Sequence, residues 1–258
     1  MSSEQSEPSA EQRREALRGV FEQARGCVRC SELARTRKNV VFGAGNADAD
    51  LMFVGEAPGA SEDERGVPFV GRAGKLLETL LGEIGLQRSD VFIANTLKCR
   101  PPGNRDPQPL EIENCREYLY RQVELIQPRV ICTLGNFSTK LLREDPTGIT
   151  RLHGQPEVLT IGRRAVRLYP IFHPAAALYT PRMLETLRTD FQRLPELLAQ
   201  PAPPQPQELE VPEIEEGAGA VEGSAEASAA AGAPGAAGAA GVAASAAEGD
   251  AVDQLGLF

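Results

Sequence analysis

LMFVGEAPGASEDERGVPFVGRAGKLLETLLGEIG, residues Leu51 to Gly85, is the stretch from which the fold follows. Its first five residues, LMFVG, are continuously apolar, as in a short strand covered on both faces. A Gly/Pro-rich acidic loop then leads into AGKLLETLLGEIG, where Leu76, Leu77, Leu80, Leu81 and Ile84 share one helical face. Strand, loop and amphipathic helix in that order open a βα unit, whose strands pair in parallel.

The same alternation extends in both directions. Upstream, Glu11 to Ala24 mixes charged and apolar positions at helical spacing, and Gly26 stops the helix before Cys27. Downstream, VFIAN (Val91 to Asn95) reads as a strand, Leu110 to Ile126 as a helix, RVICTLG (Arg129 to Gly135) as a strand and Asn136 to Arg143 as a helix. Short strands are expected around Val158 to Ile161 and Val166 to Phe172, and a last helix over Pro181 to Ala199. The pattern predicts an α/β fold, a three-layer α/β/α sandwich with a mostly parallel central sheet. Ligand sites in such folds gather at the carboxyl ends of strands. GEAPG, Asn95 and His173 all follow strands, so one pocket is expected to hold all three.

Composition divides the chain. Residues 11–200 carry a globular pattern after a short disordered N-terminus, residues 1–10. From Pro201 the sequence becomes Pro/Ala/Gly/Ser/Glu-rich, with the run AEASAAAGAPGAAGAAGVAASAAEG, and residues 201–253 are expected to be disordered. The net charge is -9, but every one of the 27 Lys and Arg precedes residue 201, while ten acidic residues lie in the tail. The body is therefore near neutral, which permits a local basic groove for nucleic acid. The first residues, MSSEQSEPSAEQRRE, lack an apolar core, and no apolar run reaches the roughly 20 residues a membrane span needs. A cytoplasmic protein with reduced thiols is expected.

Cys27-x2-Cys30 presents two thiolates from one turn, and Cys99 and Cys115 supply two more from either side of a proline-rich loop. Four soft ligands at this spacing suit tetrahedral zinc or an iron–sulfur cluster, and spacing does not separate them. Cys132, mid-strand in VICTL, reads as core. The GEAPG turn offers backbone N–H groups to an anion or a developing oxyanion. His173 opens HPAAAL at a strand end, placed to act as acid, base or hydrogen-bond donor. His153, in TRLHGQP, reads as a loop residue near the surface.

GEAPGASEDERGVPFVGRAG, NTLKCRPPGNRDP, HPAAAL and the four-cysteine spacing together resemble the type 4 uracil-DNA glycosylases, over roughly Cys27 to Leu198. The resemblance implies a uracil-DNA glycosylase fold and a [4Fe–4S] cluster on Cys27, Cys30, Cys99 and Cys115. It implies a monofunctional, monomeric repair enzyme that flips uracil from DNA and hydrolyses its N-glycosidic bond. Glu56, Ala57, Pro58 and Gly59 would line the uracil pocket, Phe69 would stack on the base, and the Asn95 amide would pair with its O4 and N3–H. His173 would donate to O2 as charge gathers there. In the best-known uracil glycosylases an aspartate that orients water stands where this chain has Ala57. Glu56, Glu62 and Asp63 are therefore the candidates for that task. Arg100, Arg105 and Arg182 are expected phosphate contacts, and Leu178 or Tyr179 an expected wedge in the emptied stack. The alternatives are a covalent or noncatalytic uracil-DNA-binding module; the covalent relative carries a histidine in an inserted basic loop, which the segment between Lys98 and Cys115 lacks.

The last five residues, QLGLF, resemble the bacterial sliding-clamp-binding peptide, with Gln254, Leu255, Leu257 and Phe258 as its contacts. The tail would act as a tether that raises local concentration near replicating DNA, with the protein nucleoid-associated when bound.

Overall fold

A computed structural model describes residues 8–206. The clamp-binding residues Gln254, Leu255, Leu257 and Phe258, most of the expected N-terminal disordered stretch, and the tail from residue 207 lie outside the described residues. Helix α1 (Ala10–Arg25) opens on a capping box: Ser9 Oγ accepts the Gln12 N–H at 3.3 Å and Gln12 Oε1 accepts the Ser9 N–H at 2.8 Å. After α2 (Ser31–Thr36) come β1 (Ala44–Gly45) and β2 (Leu51–Gly55), then α3 (Ala60–Arg65) and α4 (Arg72–Glu83). The middle of the chain holds β3 (Phe92–Asn95), α5 (Pro109–Ile126), β4 (Val130–Leu134), α6 (Asn136–Arg143) and α7 (Ile149–Leu152). The rest is β5 (Glu157–Ile161), β6 (Arg164–Ile171), α8 (Pro174–Ala177), α9 (Pro181–Gln192) and α10 (Leu194–Ala199).

The strands form one sheet in the order β1-β3-β2-β4-β6-β5, with β3, β2, β4 and β6 parallel and the two edges antiparallel. Alternate residues of each strand feed opposite layers. Met52 and Val54 of β2 join the core beneath α1 and α5, where Leu17, Val20, Leu119 and Val123 lie. Leu51 and Phe53 face the other way, onto Leu77, Leu80 and Leu81 of α4 and Leu187, Phe191, Leu194 and Leu197 of α9 and α10. The expected three-layer sandwich is thus the observed one. From β2 the chain steps to β3 on one side, then crosses to β4 on the other, so β2 borders the switch point at which clefts open in such sheets.

The short elements α2, β1, α7 and α8 were not expected from the sequence, and two further regions differ from the expectation. The acidic loop after GEAPG contains a turn and a half of helix, α3, with Glu62 and Asp63 in its first turn and Gly66 ending it at φ 71°. The single last helix is two, α9 and α10, broken at Arg193. Pro195 lacks an N–H and its ring clashes with the carbonyl four residues earlier. Order also continues past residue 200: the Gln205 side chain bonds both the N–H (3.1 Å) and the carbonyl (3.0 Å) of Ala165.

Candidate active site and cysteine centre

The carboxyl ends of β2, β3 and β6 converge on a pocket of about 270 Å³ lined by Glu56, Ala57, Pro58, Gly59, Phe69, Asn95 and His173, together with Glu62, Ala73, Pro101, Asn104 and Arg105. Gly55 and Asn95 are register partners on adjacent parallel strands. Beyond them the ladder continues, with Thr96 N–H to Gly55 O and Leu97 N–H to Glu56 O, both at 3.0 Å. This stitching holds the GEAPG turn beside Asn95. A side chain at position 55 would collide with both walls, since its Cβ would lie 2.5 Å from Asn95 Oδ1 and 2.8 Å from Phe69 Cζ.

Asn95 is 2% exposed, and its Oδ1 has no hydrogen-bond partner. A buried, unpaired acceptor costs about 1–3 kcal/mol, and a ligand donor would relieve it. Beneath it, the buried Lys98 ammonium donates to the Asn95 carbonyl at 2.8 Å and to Gln122 Oε1 at 2.6 Å, which fixes the end of β3. Across the pocket, the Phe69 ring stacks on the His173 imidazole at 5.5 Å between centroids. His173 caps α8, and its Nδ1 accepts the Ala175 N–H at 3.1 Å. Nδ1 is therefore an acceptor and the ring's proton sits on Nε2. Only partly exposed and hemmed in by protein, the imidazole is pushed down to about 4 by burial, with the Glu62 charge opposing, so it is neutral at pH 7. Glu56 is pushed above the ordinary carboxyl range by burial and by the charge of Asp106.

The four cysteines belong to, or pack against, the core layer beneath α1 and α5. Cys27 and Cys30 lie between α1 and α2, Cys99 follows β3 and Cys115 lies in α5, and all four join one side-chain cluster. Cys99 feels the charges of Cys27 and Cys30, and Cys115 those of Cys99 and Cys30. Each sulfur has an N–H or O–H partner. Arg37 Nη1 donates to Cys99 at 3.2 Å and Asn114 Nδ2 to Cys30 at 3.4 Å, Lys98 N–H serves Cys115, and Tyr118 and Arg29 serve Cys27. Burial raises Cys99, and it raises Cys115 to about 11; at Cys27 burial is outweighed by its hydrogen bonds, which leave that thiol below its ordinary value. Donors directed at all four sulfurs suit thiolate ligands. Among the described residues no three Cys, His, Asp or Glu side chains are gathered as a single metal ion requires.

The uracil DNA glycosylase superfamily matches residues 42–197. The type-4 uracil-DNA glycosylase of Archaeoglobus fulgidus is 44% identical over 193 residues, covering 73% of this chain and 96% of that protein. That of Sulfurisphaera tokodaii is 44% identical over 192 residues, with 72% and 87% covered, and that of Saccharolobus solfataricus 46% over 185 residues, with 70% and 85%. This chain belongs to the type 4 uracil-DNA glycosylases.

In this glycosylase the structure separates residues that the sequence left as equals. Of the three acidic candidates, Glu56 and Glu62 line the pocket, whereas Asp63 is buried and accepts the N–H groups of Lys38 (2.9 Å) and Asn39 (3.3 Å). Asp63 anchors the segment after α2 and does not reach the pocket. Arg105 lines the pocket yet is committed to protein carboxylates, Glu111 at 2.6 and 2.9 Å and Glu32 at 2.7 Å. Of the two wedge residues, Tyr179 is 75% exposed, with its hydroxyl accepting from Arg72 at 3.0 Å, and Leu178 is half-buried. The His153 ring packs tilted against Phe172 and meets Asp190 at 3.1 Å, outside the pocket lining. Ala73, at the start of α4, and Pro101 and Asn104, in the loop after β3, also line the pocket; all three lie within the quoted motifs, but nothing in the sequence singled them out there. No helix among the described residues is long and apolar enough to cross a membrane.

Proposed function

We propose that this type 4 uracil-DNA glycosylase binds a flipped uracil in the pocket between Asn95 and His173 and hydrolyses its bond to deoxyribose. The observation that carries the reading is the buried, unpartnered Oδ1 of Asn95 opposite the face-stacked Phe69–His173 pair. Uracil offers N3–H to that oxygen and O4 to the amide nitrogen, whereas cytosine presents the reverse pattern and would leave both unpaired. Phe69 covers the base. His173, neutral and protonated on Nε2, donates to uracil O2 as the glycosidic bond breaks and negative charge collects there. Such a donor is typically worth about 3 kcal/mol in the transition state. The water adds at C1′ of the oxocarbenium-like sugar and loses a proton, with Glu56 the pocket carboxylate assigned to orient it. Ala57, Pro58 and Gly59 form the wall that shapes the site.

Cys27, Cys30, Cys99 and Cys115 fit a [4Fe–4S] cluster, a reading supported by the donor provided for each of the four sulfurs. When bound, the cluster supplies a covalent cross-link between the N-terminal segment, the loop after β3 and α5; hydrolysis draws no electrons from it. The QLGLF terminus is assigned to a bacterial sliding clamp, the expected tail beyond Gln205 to its tether, and the enzyme is taken as a cytoplasmic monomer. That assignment rests on the pentapeptide alone. Replacing Leu257 and Phe258 by Ala should abolish clamp pull-down and leave turnover on short oligonucleotides unchanged.

The deciding experiment incubates the protein with a labelled uracil-containing oligonucleotide and then with alkali. Strand breaks that need alkali and are strongly reduced in His173→Ala support the reading. Retention of the oligonucleotide without breaks would make the protein a uracil-DNA binder.

A further inference from the structure

Phe69 has a backbone conformation that aromatic residues rarely adopt, with φ 52°. Left-handed geometry costs a side-chain-bearing residue free energy, and it persists only where neighbours impose it. A glycine would meet this turn without cost. The aromatic at position 69 therefore reflects placement of its ring against His173, not the needs of the turn.

The neighbours that impose the geometry come from two distant elements. On one side, Glu62 Oε1, from α3, accepts the N–H groups of Val70 at 3.1 Å and Gly71 at 3.0 Å. On the other, Arg88, from the 3-10 turn Arg88–Asp90, donates Nη1 to the Phe69 carbonyl at 3.1 Å and Nη2 to the Pro68 carbonyl. Arg88 is itself anchored by Glu78 of α4 at 3.4 Å. The first turn of α4 packs onto the same peptide, where a Cβ on Gly74 would lie 1.7 Å from the Phe69 carbonyl oxygen. Two consecutive carbonyls are thus gripped by one planar guanidinium and the next two N–H groups by one carboxylate. A fork of fixed geometry is suited to holding two carbonyls at a set relative angle.

We propose that Arg88 is a positioning residue for base recognition: through the Pro68 and Phe69 carbonyls it holds Phe69 in its left-handed conformation, so that the ring forms a stacking platform before uracil arrives. The proposal rests on the uracil-pocket reading above. Arg88 acts through the backbone carbonyls and touches neither base nor sugar. Without its grip Phe69 relaxes toward the extended region and its ring leaves the face of His173.

The test measures single-turnover uracil release from a single-stranded oligonucleotide, and inhibition by free uracil, for wild type, Arg88→Met, Phe69→Ala and the double variant. Methionine keeps much of the buried stem and removes both donors. Arg88→Met should lower the rate constant per substrate concentration by roughly ten- to a hundredfold, the scale of a misplaced pocket group. It should weaken inhibition by free uracil by a comparable factor. In the Phe69→Ala background the same substitution should change either quantity by no more than about twofold, because the ring through which it acts is gone. Equal losses in both backgrounds, or none in the Phe69 background, would overturn the proposal. Should Arg88→Met melt below the assay temperature, Arg88→Gln, which keeps an amide donor, is read by the same coupling criterion. A wild type that releases no uracil would overturn the pocket reading itself, a result distinct from an active wild type without Arg88–Phe69 coupling.

Discussion

The Nδ1 of His173 accepts the N–H of Ala175 at 3.1 Å, and this one bond settles which imidazole nitrogen can serve the reaction. The ring helps cap α8 and leaves Nε2–H as its donor. Protonating Nδ1 would require giving up the cap as well as charging a buried ring. The folded value lies near 4 against 6.5 for the free side chain, so between those values the unfolded chain holds more protons. This contribution to stability is complete above about pH 6.5 and is lost as the pH falls through 4. Uracil release should show no inflection near pH 6.5 from this group, and His173→Ala should lower the rate on the order of a hundredfold. An inflection there that disappears in His173→Gln would show that the charged ring is the active form.

Asn95→Ala removes a buried acceptor that has no partner in the free protein. Its melting temperature should equal or exceed that of wild type, while uracil release falls by at least about a hundredfold. A large loss of stability together with activity would mean that the amide is structural.

Glu56 carries the raised carboxyl of the pocket. The carboxylate form is the one that orients water, so activity should fall on the acid side as the pH drops through a value above the usual 4.5. Glu56→Gln should be slower by roughly a hundredfold and lose that acid limb. Retention of the limb in Glu56→Gln would move the role to another group, Glu62 being the remaining carboxylate of the pocket's acidic loop.

Gly55→Ala places a methyl group 2.5 Å from Asn95 Oδ1 and 2.8 Å from Phe69 Cζ. Both side chains must shift, and both recognise the base. Activity should drop by about ten- to a hundredfold, with free-uracil inhibition weakened in parallel. An unchanged inhibition constant would show that the pocket walls yield without consequence.

Protein purified without exposure to air should hold about four irons and four sulfides. Substituting Cys99 by Ser should reduce iron content and melting temperature together, because the loop after β3 and α5 lose their cross-link. Iron content unaffected by Cys99→Ser, or one zinc per chain in its place, would reject the cluster assignment.

Much of this molecule is written locally. The apolar run Leu51 to Gly55 and the leucine face of α4 each specify their element from neighbours a few residues away. For that reason the sandwich and the strand ends that carry the GEAPG turn, Asn95 and His173 were legible in advance, whereas Phe69 and the pocket role of Glu56 came from the family resemblance. Helix α3 was not, because GASEDER has loop composition and becomes helical where Asp63 ties it to Lys38 and Asn39.

Sequence by itself determined the order of elements, the motif residues at the strand ends and the spacing of the four cysteines, since hydrophobic period and turn chemistry act over short range. Only the tertiary structure decided which of those residues are free to act. It spent Asp63 and Arg105 on protein partners, left Asn95 Oδ1 without one, set the tautomer of His173 and bent Phe69 into a left-handed turn between Glu62 and Arg88. Apart from the His173 tautomer, which its own cap sets two residues away, these outcomes depend on where a hydrogen-bonding group from another segment falls and on whether burial leaves water as an alternative partner.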